Sequence, residues 1–288
     1  MLPGKKRFSS LLLLLCATLA TGQSRYELIP AWDYPALGVG ISAAGLAYLR
    51  ERDIARNAID PSAYSRKDIP IFDRWAIGPY SQPLSIASDV LIGMEGLAPA
   101  LMTGCEFGRG EESFAEAWRD AVIYGEVVAY ASAFSLYSKT FLVHPRPLVF
   151  TDNAPQSERT SGDSRSGFFS EHTTGAFAAA VFTGYTFALK HPESPWIPWV
   201  WGGSLGTATT IGALRVASGK HFPSDVLAGA AVGALVGYAI PRMHARSRTD
   251  SPGRQLKRGP DGFLSRMELA IEPRSDGETP MLLVRIHG

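Results

Sequence analysis

Apolar positions in this chain come in long blocks, separated by polar stretches rich in Pro, Gly and Ser. Blocks longer than roughly ten residues exceed an ordinary strand and predict helices. Six segments meet that description: Pro35 to Arg50, Leu84 to Met102, Ser113 to Leu142, Thr173 to Leu189, Trp196 to Leu214 and Pro223 to Ile240. The last three are smooth and rich in small residues, so their backbones can approach closely as buried helices or marginal membrane spans. The second carries Asp89 and Glu95, and the third Glu116, Arg119, Asp120 and Glu126. A charge at the bilayer centre costs about 3 kcal/mol. These two therefore read as members of a compact soluble bundle, or as spans with polar inward faces. The expected fold class is all-α, a bundle of about six helices.

The two ends of the chain have a different texture. Lys5, Lys6 and Arg7, the apolar run Leu11 to Ala20 and the small residues Ala20-Thr21-Gly22 predict a secretory leader over residues 1–22. A buried first helix is the other reading of that stretch. Residues 242–260 carry many Arg and Lys with Pro and Gly, and read as an exposed linker. MELAIEP and MLLVRI, separated by RSDGET, predict a small C-terminal β-hairpin. The expected divisions are the leader, an N-terminal helix and loop region over 23–83, a helical core over 84–242, and the linker and hairpin over 243–288.

Composition narrows the class. A formal net charge of +1 over 288 residues argues against a broad basic field for nucleic acid. Cys16 falls in the leader, so its removal leaves Cys105 alone and no intrachain disulfide is expected. The leader suggests export to a bacterial cell envelope. No cysteine or histidine spacing of a zinc site is present.

Candidate chemistry sits in three polar clusters at the edges of apolar helices. In LRVASGKHFPSDVLAG, Arg215, His221 and Asp225 stand at the mouth of the sixth helix, with Pro223 suited to its first turn. An aspartate four residues past a histidine can orient one ring nitrogen and leave the other free as nucleophile or base. Lys139 and Arg146-Pro147 end the third helix, where the proline holds Arg146 out of helical geometry. In GFFSEHTTGAF, Ser170 and His172 precede the fourth helix, whose N-terminal N–H groups favour anions. Each cluster alone also reads as ordinary capping or as charge favouring a helix dipole.

Taken in chain order, the clusters resemble the superfamily of type 2 phosphatidic acid phosphatases and vanadium haloperoxidases. Its pattern is K-x6-R-P, then P-S-G-H, then S-R-x5-H-x3-D. Here it stands as K-TFLVHP-RP over 139–147, F-S-E-H over 169–172 and L-R-VASGK-H-FPS-D over 214–225. Phe169, Glu171 and Leu214 replace the pattern's Pro, Gly and Ser. Glu171 keeps the backbone N–H of that phosphate-facing glycine and adds a carboxylate. It would repel a phosphate if turned inward and would raise the pKa of His172 if turned toward that ring.

The resemblance implies a metal-independent phosphatase acting on a phosphomonoester or pyrophosphate. Lys139, Arg146 and Arg215, with Ser170 and backbone N–H groups around Glu171, would clamp the phosphoryl oxygens. His221 would attack phosphorus and form a phosphohistidine, Asp225 would orient it, and His172 would protonate the leaving oxygen and then activate water. No cofactor or metal is required on this reading. Vanadate would be the cofactor of the alternative, a vanadium-dependent haloperoxidase. A second alternative is a phosphate-binding envelope protein that Glu171 has deprived of catalysis. The expected partner is a phosphorylated substrate, lipid-linked in view of the apolar helices, with no nucleic acid. The protein is expected to be periplasmic, or in the inner membrane with the site facing the periplasm. The second reading takes Pro35 to Arg50 as too short to cross.

Overall fold

The computed structural model of the protein describes residues 26–245, 267–272 and 281–286. The expected leader and basic linker lie outside those residues. The chain divides into two compact units at residue 246. In the second unit, strands β1 (Met267–Glu272) and β2 (Met281–Ile286) pair antiparallel, Met267 opposite Ile286.

In the first unit, six helices of 20 residues or more are α1 (Pro30–Ala55), α2 (Gln82–Gly108), α3 (Phe114–Phe141), α4 (Glu171–Lys190), α5 (Ile197–Ala217) and α6 (Pro223–His244). Their starts follow local chemistry. Ser113 and Glu116 form a reciprocal capping box on α3. The Ser170 hydroxyl accepts from the Thr173 N–H to cap α4. Pro30, Pro83 and Pro223 open α1, α2 and α6 where their missing N–H costs nothing.

Two helices run further than the pattern predicts. The charged Arg50-Glu51-Arg52 looks like a terminus, but α1 continues through it to Ala55 because Glu51 has a partner in Lys139. The α2 helix passes Met102 to Gly108 because Glu106 is buried against Lys190 and His191. Tyr26 pairs with Ala245 in an isolated bridge at one end of α1, and Glu51 meets Lys139 at the other. The 26-residue α1 is therefore no short stub; it runs along the bundle from one pole to the other.

The α4 helix is the centre, with thirteen of its 20 residues buried, and it packs against α2, α3, α5 and α6. Small residues make this possible. Gly229, Gly233 and Gly237 present bare backbone to α4, and a Cβ on Gly229 would stand 2.7 Å from the Ser170 carbonyl. Tyr26, Ile123, Val127, Ala178, Phe182, Val236 and Ile240 fill the space between α3, α4 and α6. Away from the site, Lys190 is enclosed by Glu106, Glu112 and Asp120, and His191 donates to Glu106, tying α2, α3 and α4 together.

The outer surface has the opposite composition. Ile86, Val90, Met94, Leu97 and Leu101 form one exposed stripe along α2, and Trp199, Leu227, Leu235 and Met243 are exposed on α5 and α6. Among the described residues, α2 and α6 are long and apolar enough to cross a membrane.

Candidate active site

Antiparallel packing brings the loops over 56–81, 142–170 and 218–222 to one pole. Ile69, Ala76, Leu148, Val149, Phe150 and the fully buried Phe222 pack these loops into one layer. The turn between α5 and α6 depends on Gly219, at φ +74°, a conformation that strains any L side chain. The backbone of Pro79 lies against the same glycine. That turn sets the position of His221, two residues on.

His221 is 2% exposed. Its Nδ1 donates to the Gly167 carbonyl at 2.9 Å, while the Asp225 carboxylate stands 3.6 Å from the same nitrogen. A carbonyl only accepts, so the proton is on Nδ1 and Nε2 carries a free lone pair. The expected orienting aspartate is thus close, but the hydrogen bond that fixes the ring comes from the backbone. Asp225 instead accepts from the Phe222 N–H at 2.8 Å and lies 3.3 Å from His144 Nε2. Burial, and after it the neighbouring charges of Arg146, Arg215 and Lys139, push the His221 pKa well below the ordinary imidazole value.

Each cation is held by neighbours. Lys139 Nζ donates to Glu171 Oε2 at 2.7 Å and to Glu51 Oε1 at 3.2 Å. An ammonium has three donors, so one remains for a ligand. Arg146 donates to Asp163 at 2.7 Å. Arg215 reaches Ser85, Ser88 and Asp89 at 3.2–3.4 Å. The Nε atoms of Arg146 and Arg215 are buried with no acceptor among the described residues.

His172 donates from Nε2 to Asp89 at 2.8 Å, and the same carboxylate oxygen lies 3.4 Å from Arg215. Asp89 therefore couples the imidazole of α4 to the guanidinium of α5. Glu171 is partly exposed, and its carboxylate lies on Lys139 rather than on His172. Ser170 is fully buried, and its hydroxyl accepts from Thr173. Asp73 accepts from the Ser224 N–H and hydroxyl and so extends the cap of α6 from the first loop.

Pattern reasoning assigned no role to Asp89, Glu51, Asp163, His144, Asp73 or the Gly167 carbonyl. Asp89 had a signal, as a lone acid near the start of an apolar helix. The carbonyl had none, because any residue supplies one.

Beside the site, Glu171 and His172 stand over a cavity of about 280 Å³ whose walls are mostly apolar, from Ile92, Val128, Ala131, Ala178 and Ala179, with Ser132 and Ser135 among them. A polar mouth thus opens on an apolar cleft between α2, α3 and α4.

Three cations and two imidazoles at one pole of a helical bundle are groups that could hold an oxyanion and exchange protons with it. Residues 120–249, somewhat under half of the chain, match the sequence model of the PAP2 superfamily. A stretch of 79 residues is 37% identical to the lipid A 1-phosphatase of Porphyromonas gingivalis, covering 27% of this chain and 16% of that protein. The chain thus spans well under a fifth of that relative's length. No solved structure matches the chain significantly.

Proposed function

We propose that the protein is a phosphatase that hydrolyses a lipid-linked phosphomonoester or pyrophosphate through a phosphohistidine on His221. The observation that carries this is the hydrogen-bonded set Lys139–Glu171 and His172–Asp89–Arg215 at the pole where the Gly167 carbonyl fixes the tautomer of the buried His221. The His221 Nε2 lone pair attacks phosphorus as the bond to the leaving oxygen breaks. His172 gives a proton to that oxygen, then takes one from the water that cleaves the P–N bond. The cations hold the non-bridging oxygens throughout, with charge on the equatorial positions matched by the guanidinium forks. Asp89 positions His172 against Arg215.

The substrate class rests on two features. The apolar cleft under Glu171 and His172 suits an acyl or prenyl chain, and the exposed stripe on α2 suits contact with lipid. A lipid phosphate is also the substrate class of the P. gingivalis relative. We place α1 to α6 in a bacterial membrane, with the basic residues that follow Ile240 on the cytoplasmic side and the site on the other; since α1 runs from pole to pole, this orientation takes residues 1–22 as a retained segment and not as a removed leader.

The test is phosphate release, without added metal, from lipid phosphates, polyprenyl pyrophosphates and soluble phosphomonoesters, with His221→Ala as the blank. We expect turnover of a lipid substrate and a loss of at least about a thousandfold in the variant. Turnover retained in His221→Ala contradicts the nucleophile. Halide oxidation with vanadate and peroxide, and no phosphate release, would assign a haloperoxidase.

A further inference from the structure

At the pole away from the site, three helices bring together Asp33, Glu126 and His244. Asp33 is in the first turn of α1, Glu126 lies midway along α3, and His244 ends α6. One ligand atom from each lies within 4.8 Å of the other two. His244 Nε2 is 3.3 Å from Asp33 Oδ1 and 3.7 Å from Glu126 Oε2.

The hydrogen bonds around this cluster leave it incomplete. His244 Nδ1 lies 2.9 Å from the Ile240 carbonyl, which can only accept, so the ring proton is on Nδ1. On a neutral ring, Nε2 then turns a lone pair toward two carboxylates, and three acceptors face one another with no donor between them. Asp33 Oδ2 is occupied by the Ile29 N–H at 2.5 Å, which aims Oδ1 at the histidine. Glu126 Oε1 is buried and has no hydrogen-bond partner, in a residue only 4% exposed. A buried carboxylate oxygen without a donor demands one or a cation.

A divalent transition-metal ion answers each of these features. Imidazole and carboxylate together suit Zn²⁺. Two ligands of a tetrahedral zinc at about 2.05 Å stand about 3.3 Å apart, close to the separations at His244. A ligating histidine ordinarily donates its other N–H to a carbonyl or carboxylate, as Nδ1 does here. The side chains of Asp33 and His244 are 14% and 10% exposed, so an ion has a way in.

We propose that Asp33, Glu126 and His244 form a zinc-binding site that clips the start of α1 and the end of α6 to the middle of α3. It is separate from the phosphatase site, and its role is to hold α1 in place. At the other end of α1, Glu51 reaches Lys139.

The test uses the full chain, purified in detergent, stripped with EDTA and desalted. A His221→Ala background keeps zinc taken by the phosphatase site out of the count. Calorimetric titration with Zn²⁺ and metal analysis should give one tightly held ion per chain, with Kd below about 10 µM, and the Tm should rise with Zn²⁺. His244→Ala and the near-isosteric Glu126→Gln should each weaken binding by roughly 100-fold and abolish the rise in Tm. Circular dichroism identifies which variants are folded, and Glu126→Gln carries the test if His244→Ala is not. Absence of zinc uptake by the folded parent overturns the proposal. So does undiminished binding in a folded variant. A Tm indifferent to Zn²⁺ and EDTA would assign the cluster to a protonated histidine paired with two carboxylates.

Discussion

At the scale of single residues, the ionic positions stood out because a phosphatase reading restricts which side chains could serve. Lys139, Arg146, His172, Arg215 and His221 had to be a cation or an imidazole, and regular spacing at helix edges made them visible. Their partners were less so. The sequence left Glu171 facing the phosphate or facing His172; it lies on Lys139, a contact 32 residues away in sequence. The pair is partly exposed, so its removal should have a modest effect: Glu171→Gln should lower the KM for a phosphate ester by roughly two- to fivefold, read from initial rates. A higher KM would mean that the carboxylate helps to bind substrate. A half-buried histidine, His144, and a buried one, His221, make stability depend on pH. Burial lowers the pKa of His144, and burial with the surrounding cations lowers that of His221. The unfolded chain takes up protons near pH 6.5, where these folded rings remain neutral. The stability they confer is present above that value and declines as pH falls through it. The Tm should therefore drop between pH 7.5 and 5, and drop less in His144→Gln. A Tm that climbs over that interval would refute this reading of the buried rings.

At the scale of elements, the positions of the helices followed from block length and small-residue content, but two of their ends did not. Charges after Leu49 and beyond Met102 look like the exits of helices. In the folded chain Glu51 and Glu106 find cations on other helices, so α1 and α2 continue. A terminus predicted from local polarity fails where the charge is paid for by a distant residue. The same pairing governs the pole away from the site. Lys190 is fully enclosed by three carboxylates from α2, α3 and the turn between them. Removing the lysine leaves those charges buried without a counterion. Lys190→Ala should destabilise the bundle by about 3–5 kcal/mol, measured by chemical unfolding in detergent. A change below about 1 kcal/mol would mean that the carboxylates are neutral or hydrated in place.

At the scale of the whole molecule, the all-helical bundle was legible from the absence of alternating patterns over the core. Its relation to the membrane was not, because apolar helices of a soluble core and of a membrane protein share one composition. The outward stripe of Ile86, Val90, Met94, Leu97 and Leu101, visible only once burial is known, is the surface on which the membrane proposal rests. The protein should stay with the membrane after carbonate washing. A cysteine placed in the exposed loop at Asn153 should react with an impermeant thiol reagent in intact cells, given Cys105→Ser as background. A cysteine at Ser247, past the end of α6, should react only after lysis. The reverse pattern would put the site in the cytoplasm, as a removed leader followed by a crossing α1 requires.

The central claim is that His221 carries the phosphoryl group. A substrate bearing ³²P, stopped with alkali in the first turnover, should leave label on the peptide that contains His221. That label should be stable to base and lost in acid, as a phosphoramidate is, and absent from His221→Ala. Label on another residue, or full turnover by the His221→Ala protein, would contradict it.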